Sequence, residues 1–209
     1  MKSNIFTIGV CILLALSFYA QAQTSPKEVV YFYDQAEKLY GFKDPVTGDV
    51  VVSPKYEQID GTFYDGLMLV ASKSKHGYID NKGKEVIELK YEAAGRFSSG
   101  LAPVKTEPGW IFIDKNENKV IDATMYSVVG IFSEGLAKVM QNDQWGFINT
   151  SGKLIIPNKY RATGDFTRGK AIVAISGATQ ENAASAPIEK VGIIDKTGKE
   201  LFLIPGQNM

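Results

Sequence analysis

The sequence is poor in the residues that usually build reactive or cross-linked sites. It holds one cysteine in 209 residues, so no internal disulfide and no cysteine-rich zinc site can form. It holds one histidine, His76, which excludes a histidine-cluster metal site and leaves a single candidate for a histidine-dependent triad. Charge of one sign is not in excess. Lys plus Arg is 23 and Asp plus Glu is 23, so the basic face expected of a nucleic-acid-binding protein is not indicated. No window carries a sustained helical period of apolar residues. No nucleophile elbow, phosphate loop or paired-carboxylate motif stands out.

The only long apolar run lies at the start. Lys2 precedes Ile5 to Ala20, which is apolar apart from small or weakly polar residues, and Ala20-Gln21-Ala22 gives the small-x-small pattern that a signal peptidase accepts. The run is shorter than the roughly 20 residues needed to span a bilayer. Residues 1–22 therefore read as a signal peptide, cleaved before Gln23, with no transmembrane segment left behind. Cys11 sits inside the run behind Val10, not at its end, so a lipoprotein signal does not fit. Cleavage would remove the only cysteine. The exported protein would have to be stable in an oxidising compartment without disulfides, as a periplasmic, secreted or cell-surface protein.

What remains is periodic. Tyr56, Tyr91, Tyr126 and Tyr160 lie 35, 35 and 34 residues apart. Phe63, Phe97, Phe132 and Phe166 lie 34, 35 and 34 apart, and Gly66, Gly100, Gly135 and Gly169 repeat those differences. Three columns in register define units near 40–70, 76–104, 110–139, 145–173 and a truncated one at 191–204. Residues 23–39 precede them as an N-terminal strand or cap around Val29 to Tyr33. An insertion at 176–190, rich in Ala and Ser, separates the fourth and fifth units and reads as a loop.

Each unit reads as β structure. An aromatic-Gly-aromatic strand such as Trp145-Gly146-Phe147-Ile148-Asn149 leads into a turn such as Thr150-Ser151-Gly152-Lys153, where Gly accepts positive φ. A β-branched return strand follows, then a polar connector with the Tyr and Phe. A third short strand has apolar residues in alternation, as in Ala137 and Val139. Pro103 in one third strand predicts a sheet edge there. The fold expected is all-β, an array of about 4.5 three-stranded antiparallel repeats of 34–35 residues. It forms an open or curved stack, with a closed propeller-like ring as the alternative if the N-terminal strand meets Leu201–Ile204.

The pattern resembles the WG-repeat (KWG-repeat) family. The resemblance is carried by Gln144-Trp145-Gly146-Phe147-Ile148-Asn149, by Gly152-Lys153 and by Phe132-Ser133-Glu134-Gly135-Leu136-Ala137, and extends over about residues 40–204. The Trp place is Tyr40, His76 and Val191 in other units, and the Gly place is Ile111 in the third. The resemblance implies an exported bacterial repeat protein with a binding or structural role, and brings no catalytic residues.

The acids Asp44, Asp80, Asp114 and Asp195, with Asn149, each occupy one turn, and a calcium site needs several converging oxygens. They read as turn formers, and no metal or cofactor is expected. His76 shares the column of Tyr40, Trp110 and Trp145, so it reads as a structural filler and the chain as non-catalytic. The aromatic columns are read mainly as core. Tyr40, Trp110, Trp145 and Tyr160 are the candidate binding residues, since their polar atoms can reach a rim. Two functions follow: a scaffold for a protein or peptide partner, or a glycan-binding protein of the envelope. Exposure of Trp110, Trp145 and Tyr160 on one face favours the second, and burial opposes it.

Overall fold

A computed structural model describes residues 28–176 and 188–205. The expected signal peptide, residues 1–22, and the body of the expected insertion, 177–187, lie outside the described residues. Among the described residues every element is a strand, arranged as five antiparallel sheets, none closed.

Sheet 1 holds β1 (Val30–Asp34), β2 (Leu39–Lys43) and β3 (Val50–Tyr56). Sheet 2 holds β4 (Gln58–Ile59), β5 (Leu67–Ser72), β6 (Lys75–Asp80) and β7 (Glu85–Tyr91). Sheet 3 holds β8 (Ala93–Ala94), β9 (Ala102–Thr106), β10 (Gly109–Ile113) and β11 (Lys119–Asp122). Sheet 4 holds β12 (Val128–Ser133), β13 (Leu136–Gln141), β14 (Gln144–Asn149) and β15 (Leu154–Tyr160). Sheet 5 holds β16 (Ala162–Thr163), β17 (Lys170–Ser176), β18 (Ile188–Asp195) and β19 (Glu200–Pro205).

The sheets are out of phase with the sequence units. Each unit supplies three main strands, as expected, but divides them between two sheets. Its aromatic-Gly strand and return strand finish one sheet, and its connector and third strand begin the next. The first three links between units are therefore tight hairpins inside a sheet, not connectors between sheets. At Lys73-Ser74 and Asn142-Asp143 both turn residues have positive φ, between 50° and 58°, the twist that two-residue hairpins require. Strand β1 occupies the place of a third strand and pairs with β2, Tyr31 opposite Phe42. It completes sheet 1 and does not reach the far end, and Leu201 and Phe202 stay exposed there. The array is open.

Pro103 is a correction. Strand β9 is interior, between β10 and β8. Pro is tolerated because Gly95, which donates its N–H to Pro103 O at 2.8 Å, has its own carbonyl satisfied by the Tyr78 hydroxyl at 2.6 Å in place of the absent N–H.

The Gly of the aromatic-Gly pair has a steric cause. Trp145 faces Tyr160 and Phe147 faces Ile156, so Pro157, Asn158 and Lys159 bulge opposite Gly146 alone. A methyl on Gly146 would lie 2.5 Å from Ile156 O, and one on Gly77 2.5 Å from Ile87 O. The Asn158 amide reaches past β14 to donate to Val139 O at 2.8 Å. In sheet 3 this bulge is missing. Ile111 pairs regularly with Asp122, so an Ile fits where Gly is otherwise needed.

The core lies between sheets rather than within one. Phe42, Tyr78, Phe112 and Phe147, each following the Gly column or its Ile111 substitute, are wholly buried. Phe97, Phe132 and Phe166 of the next connector pack on the last three, with ring centroids 4.8, 5.0 and 4.8 Å apart. Burying an aromatic side chain of this size contributes about 2–3 kcal/mol, so these interfaces carry the stability that disulfides would otherwise supply. Period-spaced hydrogen bonds join the rims. Asp65 accepts the Gly100 N–H and Glu134 accepts the Gly169 N–H, both at 2.8 Å and both 35 residues apart.

Candidate binding surface

The four candidate residues do not form one exposed aromatic face. Tyr160 is fully buried, which corrects its reading as a rim residue. It packs with Phe147, Ile156 and Phe166 between sheets 4 and 5. Tyr40, Trp110 and Trp145 are half-buried, each against the core of a different inter-sheet interface. Tyr40 and Trp145 stand opposite the buried Tyr56 and Tyr160 across their hairpins. The Trp and Tyr columns are thus two sides of one packing layer. That geometry weighs against a ladder of sugar-stacking rings.

Trp145 is further covered by Lys138, whose ammonium lies 5.8 Å from the ring centre and pairs with Asp165 at 3.1 Å. His76 is half-buried, with Nδ1 3.4 Å from Tyr91 O across the hairpin. The turn acids serve their own backbones. Asp80 Oδ1 accepts the Lys82 and Lys84 N–H groups at 2.9 Å, and Asp114, Asn149 and Asp195 repeat the arrangement. Among the described residues no group of three or more His, Cys, Asp or Glu is placed to hold a metal ion.

The surface that the candidate residues miss lies in the grooves between sheets. One groove of about 700 Å³ runs between sheets 1 and 2, lined by Leu39, Lys55, Tyr56, Lys75, Glu85 and Leu89 among others. A second of about 630 Å³ runs between sheets 2 and 3, lined by Lys75, Lys90, Tyr91, Lys105, Ile111 and Glu117 among others. Lys75 borders both, so the two grooves are neighbours. Each is built on the same Lys-Tyr dipeptide at the end of a return strand. The lysine reaches across to an acid of the next sheet: Lys55 to Glu85 at 3.4 Å, Lys90 to Glu117, and Lys159 to Glu200 at 3.7 Å.

Between sheets 3 and 4 the dipeptide is Met125-Tyr126, and the place of Glu85 and Glu200 is taken by Leu154. The pair there changes from charged to apolar on both sides together. In the second groove Tyr91 donates to Glu117 at 2.7 Å. Burial first, and then this bond to a carboxylate, push the Tyr91 phenol well above its ordinary value. Partial burial raises the Glu117 carboxyl, but the bonds from Lys90 and Tyr91 outweigh it and hold Glu117 below its ordinary value. The groove walls are therefore fixed, charged and of both signs at neutral pH. The recurrence of Lys before Tyr was the sequence signal for them.

A stack of antiparallel sheets of three or four strands, packed face to face through an aromatic column, defines a β-repeat protein with a propeller-like sheet arrangement. The chain belongs to the WG containing repeat family, which matches it over residues 40–74, 77–107, 110–145 and 145–177. No curated protein matches it in sequence.

Among solved structures it is similar to a Kluyveromyces lactis Hsv2 with loop 6CD replaced by a Gly-Ser linker. That match has 10% identity and a TM-score of 0.53, covering 88% of this chain and 66% of the other. It is also similar to a eukaryotic initiation factor, at 14% identity and a TM-score of 0.51, covering 86% of this chain and 52% of the other. The chain spans between half and two thirds of the length of these two, and at such identities the likeness concerns the fold alone.

Proposed function

We propose that the protein is an exported, non-catalytic repeat scaffold that holds a protein or peptide partner along its inter-sheet grooves. The observation that carries this reading is the pair of equivalent grooves that share Lys75 as a wall. Neighbouring grooves with ammonium and carboxylate groups of both signs over Tyr and aliphatic walls suit an extended segment of mixed charge. Stacked repeats offer such extended surfaces as a consequence of their architecture. The burial of Tyr160 supports the protein or peptide reading over the glycan one. Export rests on the apolar run and small-x-small pattern of residues 1–22.

The experiment is capture from an envelope extract with wild-type protein and with Lys75→Glu. Lys75 is exposed, so the substitution leaves the core intact. One protein captured reproducibly by wild type and reduced at least about fivefold by Lys75→Glu supports the proposal. Retention on polysaccharide resin alone overturns it. Fractionation with N-terminal sequencing tests export. A chain beginning at Gln23 outside the cytoplasm is expected, and a cytoplasmic chain retaining residues 1–22 refutes it.

A further inference from the structure

The turn that leads into a return strand lies against the sheet behind it. A methyl added to Gly83 would meet Val52 of sheet 1 at 2.8 Å, one on Gly152 would meet Ile121 of sheet 3 at 2.9 Å, and one on Gly198 would meet Ile156 of sheet 4 at 3.3 Å. In sheet 3 the same place is Glu117. Its N–H donates to Asp114 O as the Gly83 N–H donates to Asp80 O, and its φ is 65° where the three glycines have 80° or 81°. Glutamate rarely holds this left-handed conformation, and a rare backbone state that persists in a groove points to work done by its side chain. The Glu117 carboxylate closes on sheet 2, where it accepts the Tyr91 hydroxyl at 2.7 Å and pairs with the Lys90 ammonium.

The Tyr91 hydroxyl is thus served from within the chain. Where the turn residue is glycine, the matching hydroxyl is not: Tyr56, behind Gly83, and Tyr160, behind Gly198, each have a buried hydroxyl that makes no hydrogen bond. Lys55 stands over Tyr56 as Lys90 stands over Tyr91, 5.0 and 5.6 Å from the ring centres. Tyr56 is 1% exposed and lines the groove of about 700 Å³ between sheets 1 and 2. A buried hydroxyl without a partner is costly, and a ligand that accepts from it recovers that cost. Two of the groove's own acids are engaged elsewhere. Glu57 accepts the Lys73 N–H at 3.1 Å, and Glu85 holds Lys55 at 3.4 Å. Lys73 and Lys75 face Glu88 across the remaining wall, so the groove keeps a surplus of ammonium groups for an incoming anion.

We propose that the groove between sheets 1 and 2 binds a glutamate side chain of the partner segment, whose carboxylate accepts the Tyr56 hydroxyl and pairs with Lys55. Glu117 is the built-in counterpart of that side chain, which confines the site to one of the two grooves. The inference deepens the scaffold reading and rests on it.

NMR titration of the purified protein with the blocked pentapeptide acetyl-Ala-Ala-Glu-Ala-Ala-amide tests the site. Tyr56→Phe removes only an unpaired hydroxyl, and Glu117→Gly restores the glycine of the other turns, so both variants should fold. The expected result is saturable shifts at Lys55 and Tyr56, weakened at least about fivefold by Gln in place of Glu in the peptide or by Tyr56→Phe. Glu117→Gly should add a second set of shifts at Tyr91. No shift at Tyr56, equal binding of the Gln peptide, indifference to Tyr56→Phe, or no second site in Glu117→Gly overturns the proposal. Tighter binding of acetyl-pentaalanine with a free terminal carboxylate overturns the side-chain assignment in favour of a chain end. Envelope capture separates this site from the reading beneath it. A captured protein that Lys75→Glu weakens and Tyr56→Phe does not overturns the glutamate site and leaves the scaffold reading standing.

Discussion

Replacing Gly146 by Ala places a methyl 2.5 Å from Ile156 O, 2.8 Å from Asn158 N and 2.9 Å from Pro157 C. All three contacts are backbone, so no side chain can swing aside. The flanking Phe147, Ile156 and Tyr160 are wholly buried, which stops the two strands from parting cheaply. Overpacking of this kind costs about 1–3 kcal/mol, and here it also disturbs the bulge that lets Asn158 reach Val139. We expect about 3 kcal/mol of destabilisation, at the upper end of that range. For a chain of this length this lowers Tm by about 6–12 °C.

Gly164→Ala is the matched control. Gly164 is exposed, with ordinary φ and nothing within 4 Å of the added methyl. It should be neutral or stabilising by about 0.5 kcal/mol, because Ala restricts the unfolded chain. Urea melts followed by tryptophan fluorescence report directly, since one of the two tryptophans, Trp145, adjoins Gly146. A Gly146→Ala protein within about 0.5 kcal/mol of wild type, or no worse than Gly164→Ala, would refute the steric account of the Trp-Gly pair.

Tyr78 and Tyr160 should respond oppositely to removal of the hydroxyl. Tyr78 donates to Gly95 O at 2.6 Å, so Tyr78→Phe is expected to cost about 1 kcal/mol in urea melts. The Tyr160 hydroxyl is buried without a hydrogen-bond partner, so Tyr160→Phe should be neutral or mildly stabilising, and an equal loss in both would count against the assignment. Acid should weaken the fold. Asp114, Glu134 and Asp195 are held below their ordinary values, chiefly by hydrogen bonds from Asn118, Gly169 and Thr197. Asp122 is held down to about 2, chiefly by Thr124. A carboxyl depressed in the folded state adds stability above its unfolded value and loses it as pH falls through the folded one. Melts should therefore soften progressively from about pH 4.5 towards pH 2, and carboxyl NMR titration should give Asp122 a midpoint near 2. Converting Met125 and Leu154 together to Lys and Glu restores the charged pair between sheets 3 and 4. The double variant should lie within about 0.5 kcal/mol of wild type, whereas Leu154→Glu alone should be the less stable.

The period, the all-β character and the core columns were legible because each column repeats a physical demand: an aromatic to cover the sheet behind it, a Gly beneath a bulge, an acid to cap a turn. The phase of the sheets was not legible. The hairpins at Lys73-Ser74 and Asn142-Asp143 turn without a Gly, and Lys-Ser in particular rarely takes positive φ, so no glycine common to the links marked them as turns. The third strand was consequently read as ending a unit when it is the second strand of the following sheet. Tyr160 was placed at a rim because its hydroxyl could have met water. The depth of a column between two sheets depends on how far they overlap, and no single strand records that. The groove lysines were hidden for a simpler reason: a Lys before a buried Tyr looks like any solvated surface residue until the acid of the next sheet is seen across from it.

The half-unit offset between sequence repeat and sheet also bears on how such a gene can lengthen. Copying any stretch of one full period adds one whole sheet, whichever codon the copy begins at, because the severed halves are rejoined to equivalent halves. A copy taken wholly inside the array leaves the first and last sheets as they are.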